Sequence, residues 1–131
     1  MTYTPQELGR QLLANMSFAY DGKFNPQKCM DLIHQGADLT ICTTGKHTAF
    51  SLAVTYGHTE IAAALLEKKA GINGVYGRYH STPLMLAVQN KHEHLVKMLL
   101  GAGANTDIGD LSGNTALFHA VDGKKYSTAA L

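Results

Sequence analysis

The sequence is poor in the residues that build disulfide frameworks, membrane spans and charged tails. Its 131 residues include no tryptophan and only two cysteines, and 16% of them are charged. Two thiols do not make a disulfide scaffold and no Cys-x-x-Cys pair is present, so Cys29 and Cys42 are interpreted as reduced thiols of an intracellular protein. No segment reaches the roughly 18 consecutive apolar residues of a membrane span. The N-terminus also lacks the apolar core of a signal peptide.

Charge is scarce and balanced. The formal net charge is +1, and the longest basic runs are the pairs Lys68-Lys69 and Lys124-Lys125. Neither feature gives an electrostatic reason to expect nucleic acid or an anionic membrane as a partner. The hydrophobic share of 45% is enough for folding, and the length is that of one ordinary domain.

The chain does contain an internal repeat. Residues 47–73 align with residues 81–107 at a constant offset of 34. The opening of this segment occurs once more at 114–121, and its closing half occurs upstream at 29–38. A period near 33 residues, with two apolar runs in each period, predicts stacked supersecondary units rather than one globular core.

The repeated unit resembles the ankyrin repeat. The resemblance rests on a threonine-proline opening, a histidine before the second apolar run, paired leucines and a closing glycine, namely Thr82-Pro83-Leu84, Leu86-Ala87, His92, Leu95-Val96, Leu99-Leu100 and Gly103-Ala104-Asn105. Weaker copies begin at Thr48 and Thr115. The resemblance implies an all-α fold, an ankyrin-repeat solenoid of about four helix-turn-helix repeats joined by short hairpin loops.

We expect a single ankyrin-repeat domain over residues 1–131. Its units are predicted at about 5–38 (an N-terminal cap), 39–73, 74–107 and 108–131, the last of them incomplete. The cap begins with a longer helix, from about Pro5 to Tyr20, and Pro26 starts its second helix. A polar outer face suits an end that meets water, and the residues that form it are Gln6, Glu7, Arg10 and Gln11.

Each unit carries local signals for its helices. Thr48, Thr82 and Thr115 stand where a helix N-cap hydroxyl is wanted, and Pro83 follows where its missing N–H costs nothing. Gly103 is predicted to end a helix with a positive φ.

Among the departures of the copies from the family pattern is one glycine. Two residues before the capping threonine, the family has glycine, whereas this chain has Lys46 in one copy and His80 in another. These departures leave the loop shapes open, but not the stacking.

The chain contains seven histidines, which raise the question of a metal site. They are His34, His47, His58, His80, His92, His94 and His119. His92 and His94 are two residues apart and point in different directions on a helix, and the zinc arrangement His-Glu-x-x-His is absent. His58 and His92 differ by one repeat, about 10 Å, which is too far for one ion with bonds of about 2 Å. We therefore predict no metal and no cofactor, and we interpret His58 and His92 as hydrogen-bonding to neighbouring loops.

No catalytic residue is predicted. The segment 44–48 has a Gly-Lys pair but lacks the other positions of a phosphate loop. Cys29 lies beside Met30 and Leu32, where packing is the simpler role, and the carboxylates are scattered. We therefore expect a protein that is not an enzyme. Asn73 stands where some ankyrin repeats are hydroxylated, although the acidic residue common in those substrates is Gly71 here.

The resemblance also implies where a partner would bind. Ankyrin-like proteins use the concave surface of hairpin tips and first helices, and the corresponding positions are Thr44, His47, Tyr56, Tyr76, Arg78, Tyr79, Ser81, Gln89, Asn90, Leu111, Ser112 and Asn114. Tyr56, Arg78 and Tyr79 are residue types that dominate interface hot spots. For Tyr76 and Tyr79, packing on the adjacent hairpin is an equally good alternative.

Two functions follow from this reading. The first is a monomeric, non-catalytic protein–protein interaction module in the cytoplasm, or a bacterial effector secreted into a host cell. The second is a targeting or substrate-recruitment part of a longer enzyme or effector, with its active domain beyond residue 131. By register, the paired leucines of the last unit would begin at about residue 132. We therefore expect the natural chain to continue, rather than to end in a frayed turn over residues 126–131.

Overall fold

The computed structural model describes residues 3–17, 24–68 and 70–122. They form seven α-helices and no strand, namely α1 (Pro5–Ser17), α2 (Pro26–His34), α3 (Ala49–Tyr56), α4 (Thr59–Glu67), α5 (Pro83–Gln89), α6 (Glu93–Gly101) and α7 (Ala116–Asp122). None of these helices is long and apolar enough to cross a membrane.

The helices pack in two rows. Within the units, α1 contacts α2, α3 contacts α4, and α5 contacts α6. Between units, α1, α3, α5 and α7 follow one another as an inner row, and α2, α4 and α6 follow as an outer row. The predicted all-helical stack of two-helix units is therefore confirmed.

The three threonines cap their helices as predicted. The Thr48 hydroxyl accepts the backbone N–H of Ser51 at 3.3 Å, and the Ser51 hydroxyl accepts the backbone N–H of Thr48 at 2.9 Å. Thr82 accepts from the N–H of Met85 at 3.2 Å, and Thr115 caps α7 through the N–H of Phe118 at 3.4 Å. These bonds satisfy amide groups that the first turn of a helix leaves without a partner.

The left-handed turns are preserved even where glycine is replaced. Lys46 and His80 have φ values of 64° and 54°, and the equivalent position in the next copy is Gly113, at 81°. The turn after α3 uses Gly57 at 77°, and the same turn after α5 uses Lys91 at 61°. The loops therefore keep the shape of the family pattern, and the substituted positions carry backbone strain.

Equivalent core positions have the same environment in successive units. Leu65 and Leu99, one repeat apart, are both fully buried, and so are Ala53 and Ala87. The buried apolar residues form one continuous cluster that runs through the stack. Each unit therefore contributes the same face to a shared core.

A buried amide that we did not single out in the sequence joins the first two helices. Asn15 donates from Nδ2 to the carbonyl of Asn25 at 2.8 Å, and its Oδ1 accepts the N–H of Asn25 at 3.1 Å. Asn25 in turn caps α2, which begins at Pro26 as predicted. The predicted end of the first helix and the turn after it, residues 18–23, lie outside the described residues.

The last described helix exposes apolar positions that are buried in the preceding units. Leu117 is 70% exposed, whereas Leu84, at the equivalent position, is buried. Phe118 and Val121 are likewise exposed. The remainder of the last predicted unit, residues 123–131, lies outside the described residues.

Replacing His80 by glycine should stabilise the protein. A side chain at positive φ costs roughly 1–2 kcal/mol, and glycine loses about 0.5–1 kcal/mol in backbone entropy. The free energy of unfolding in a urea titration should therefore rise by about 0.5–1 kcal/mol. Arg78→Gly is the control in the same tip, since Arg78 is not among the positive-φ residues, and it should lower stability. A loss of similar size in both variants would contradict the strain argument.

Two adjacent leucines provide a test of the shared core. Leu99 is fully buried and Leu100 is 48% exposed. Leu99→Ala should lower the free energy of unfolding by about 2–5 kcal/mol, because it leaves a cavity between units. Leu100→Ala should cost less than about 1 kcal/mol. Equal losses in chemical denaturation would show that the two positions are not distinguished by stacking.

Candidate binding surface

Three hairpin tips project from the stack, at residues 42–48, 76–81 and 110–114. Each tip closes by backbone pairing between its ends. In the second tip, the N–H of Tyr76 donates to the carbonyl of Ser81 at 2.8 Å, and the reverse bond measures 2.9 Å. The pairing makes each tip a defined turn rather than an open loop.

The three tips are joined to one another through their backbones. The N–H of Gly77 donates to the carbonyl of Lys46 at 3.0 Å, and one repeat later the N–H of Leu111 donates to the carbonyl of Tyr79 at 2.9 Å. Successive tips are therefore held at fixed positions relative to each other, as one row.

Most of the predicted partner-binding residues are solvent-exposed. Those that the structure places on the surface are Thr44, Arg78, Tyr79, Gln89, Asn90, Leu111 and Ser112. Tyr79 is 65% exposed and Leu111 is 64% exposed, and their backbones share the hydrogen bond between the second and third tips. The other predicted residues, His47, Tyr56, Tyr76, Ser81 and Asn114, are partly or fully buried.

In the second tip, Tyr76 is partly buried and Ser81 is buried. Ser81 is only 5% exposed. The Tyr76 hydroxyl donates to the carbonyl of Gly71 at 2.8 Å, and burial raises the pKa of Tyr76, partly offset by a hydrogen bond with Thr48 of the preceding unit. A Cβ on Gly74 would lie 2.6 Å from this hydroxyl oxygen. For Tyr76, the contacts therefore favour packing within the hairpins over contact with a partner. We leave Tyr76 and Ser81 out of the binding surface.

His47 lies between the first and second tips. Its Nδ1 lies 3.0 Å from the hydroxyl oxygen of Ser51. A Cβ on Gly77 would lie 2.9 Å from Nε2 of His47, so the close approach of the two tips requires a glycine there. Burial lowers the pKa of His47. The ring therefore packs between the two tips and is only partly exposed to solvent.

The two repeated histidines differ from each other. Nε2 of His92 donates at 3.0 Å to the carbonyl of Thr55 in the preceding unit. The predicted bond to a neighbouring unit is present, but its acceptor lies in the last turn of α3 rather than in a loop. For His58, no group in the described part of the chain hydrogen-bonds to its buried Nε2. Its ring stacks on Phe24, with centroids 4.3 Å apart. Burial and the nearby His92 lower the pKa of His58. The predicted hydrogen bond from His58 to a neighbouring loop is therefore wrong for Nε2, and the ring instead stacks on Phe24.

A polar network, absent from the sequence-based prediction, fixes the third tip. Asp110 accepts the N–H groups of Ser112 and Asn114 at 2.9 and 3.0 Å, and the ring of His119 donates to it at 2.9 Å. Gln89 of α5 approaches the other ring nitrogen at 3.3 Å. Burial tends to raise the pKa of Asp110, but these hydrogen bonds outweigh it and the pKa is lowered. The carboxylate is thus directed into the protein.

Two features bear on catalysis among the described residues, namely possible metal ligands and the thiol of Cys29. No three His, Cys, Asp or Glu side chains among them lie close enough to hold a metal ion. Cys29 is fully buried, and burial raises its pKa to about 11, against a smaller opposing effect of the hydrogen bond from Asn15. A thiol of this kind is protonated at neutral pH and is a poor nucleophile.

The amino-acid sequence is similar to one known family and to several characterised proteins. The family described as ankyrin repeats (3 copies) matches residues 16–110 and 78–131. Phosphocholine transferase AnkX of Legionella pneumophila is 32% identical over 63% of this chain and 9% of that protein. The mouse B-cell lymphoma 3 protein homolog is 34% identical over 75% of this chain and 22% of its own length. Human ankyrin repeat and KH domain-containing protein 1 is 44% identical over 55% of this chain and 3% of its length. The chain therefore spans a minor part of each of these relatives.

The two histidines with lowered pKa predict a pH dependence of stability. Their folded pKa lies below 6.5, the ordinary value, so the unfolded chain binds more protons as the pH falls through 6.5. The free energy of unfolding should therefore decrease from pH 7.5 to pH 5.5, as a series of urea titrations would show. His47→Asn with His58→Asn should flatten this part of the profile. A profile equally steep in the double variant would assign the dependence to other groups.

Proposed function

The chain belongs to the ankyrin-repeat family, whose members are protein-interaction modules, and we propose that it binds a partner protein through its row of hairpin tips without catalysing a reaction. The tip surface is formed by Thr44, Arg78, Tyr79, Leu111 and Ser112. The exposed side chains of Gln89 and Asn90, at the end of α5, extend it.

The observation that supports this surface best is the pair Tyr79 and Leu111. Two large side chains with extensive apolar surface are about two-thirds exposed on adjacent tips, where a partner would remove their surface from water. The hydrogen bond between their backbones, 2.9 Å long, holds the tips in place. Because the backbone is already ordered, binding costs less conformational entropy than it would for a flexible loop.

The absence of catalysis is part of the same proposal. Ankyrin repeats are generally non-catalytic, and the buried, protonated thiol of Cys29 supports this for the present chain. A second candidate function is recruitment of substrates to a larger enzyme. The match to part of a phosphocholine transferase favours it, and the tip surface would then bind the substrate protein.

We also propose that the protein acts as a monomer in a reducing compartment, either the cytoplasm of its own cell or that of a host cell. Both cysteines are free, Cys29 in the interior and Cys42 at the surface. Such a compartment keeps thiols in this state.

Site-specific crosslinking would test the proposal. A photoreactive amino acid at Ser112 should capture a partner from a lysate of the source organism, because Ser112 is exposed beside Leu111. The Arg78→Ala, Tyr79→Ala double variant should reduce this capture about tenfold or more, as expected for the loss of hot-spot residues.

A photoreactive amino acid at Lys97 is the positional control, since Lys97 is exposed on the outer helix α6. It should not capture the same partner. A partner captured equally at both positions, or retained by the double variant, would refute the tip surface.

A further inference from the structure

The charges of the tips are distributed unevenly. Lys46 and Arg78 are exposed on the first and second tips, and the described residues contain no carboxylate paired with either of them. The single carboxylate of the tips, Asp110, accepts three hydrogen bonds from its own surroundings and is almost fully buried. The charge that the tips present to solvent is therefore positive.

The other carboxylates with described side chains do not belong to the tips. They are on α1, on the outer helices or in the loops that follow those helices, namely Glu7, Asp31, Asp38, Glu60, Glu67, Glu93 and Asp107. The formal net charge of the whole chain is only +1. Positive charge at the tips is therefore a local property and does not follow from an excess of basic residues.

The row of tips places the two cations beside the two apolar residues. The bond from the N–H of Gly77 to the carbonyl of Lys46 holds the backbone of Lys46 against the residue that precedes Arg78. The bond from Leu111 to Tyr79 brings the apolar pair together one residue further on. With about 10 Å between successive units, three tips span about 20 Å, the length of roughly six extended residues.

We propose that the partner of this surface is an acidic peptide segment in which Asp or Glu residues flank an aromatic or aliphatic side chain. The proposal rests on the proposed function and specifies its partner. The apolar side chain packs against Tyr79 and Leu111, where desolvation contributes most of the affinity. The carboxylates pair with Lys46 and Arg78, where exposed charges raise the association rate and reject basic competitors.

A peptide fits this surface better than a nucleic acid. Proteins that bind duplex DNA neutralise about 6–10 phosphates through Lys and Arg, whereas the described tips offer two cations. The exposed apolar pair has no counterpart on a phosphate backbone. Nucleic-acid binding is therefore treated as a separate outcome of the test.

Four fluorescent probes would test the inference in anisotropy titrations with the full chain. The first is a 12-residue peptide with a central Phe flanked by Glu residues, the second has Lys for each Glu, and the third has Ser for Phe. The fourth is a 12-nucleotide single-stranded DNA. The first probe should bind at least about tenfold more tightly than the other three. Its affinity should fall several-fold between 0.05 and 0.3 M salt, because exposed ion pairs are screened.

Two charge-reversal variants distinguish the effect of charge at the tips on binding from the effect of the net charge of the protein. Arg78→Glu should weaken binding of the first probe about tenfold or more. Lys97→Glu makes the same change of net charge on exposed α6, and it should alter the affinity less than about twofold. Circular dichroism and thermal melting would show whether both variants remain folded. Equal losses in the two variants, or equal binding of the Glu and Lys peptides, would overturn the inference.

The remaining outcomes distinguish this inference from the proposed function. Tighter binding of the DNA probe, insensitive to Tyr79→Ser, would replace the acidic peptide by a polyanion. If crosslinking at Ser112 captures a partner whose linked segment has no excess of Asp or Glu, the tip surface stands and the acidic preference is refuted. If the protein with a photoreactive amino acid at Ser112 and no other substitution captures no partner, the proposed function itself fails.

Discussion

The structure depends on burial of each unit's apolar face by its neighbour. A two-helix unit of this size has too little interior of its own, so Leu65 and Leu99 become fully buried only in the shared core. Ala53 and Ala87 are fully buried on α3 and α5, where small side chains allow adjacent helices to approach closely. The bond from His92 to the carbonyl of Thr55 adds a polar contact to this apolar one and fixes how the units are aligned.

The binding surface is a product of the same stacking. Because the units stand side by side, their tips form a row, and two backbone hydrogen bonds connect that row. The tips keep their turns at the cost of left-handed backbone at Lys46 and His80. Lys46 is one of these positions, and its carbonyl accepts one of the two hydrogen bonds that connect the row.

The repeat period made much of the fold predictable. Thr48, Thr82 and Thr115 cap helices because each precedes the same apolar pattern, and His92 bonds to the end of α3 because its unit has a neighbour. The burial of Ser81 was not predictable in this way, and for Tyr76 packing was one of two open alternatives. The orientation of Tyr76 depends on how the tip closes, and on the absence of side chains at Gly71 and Gly74.

Other parts of the site depend on residues that do not repeat. The Asp110–His119–Gln89 network joins the third tip, α7 and α5. None of these three side chains recurs at the equivalent position of another unit. The two hydrogen bonds between the Asn15 side chain and the backbone of Asn25 likewise join α1 to the start of α2. Pattern analysis finds what recurs, and single polar contacts of this kind become visible only in three dimensions.

The two described ends of the stack are chemically unlike. On α1, the side chains of Glu7 and Arg10 face water, whereas α7 exposes Leu117 and Phe118. The stack of described helices therefore differs in chemistry along its axis, with charged side chains at α1 and apolar side chains at α7.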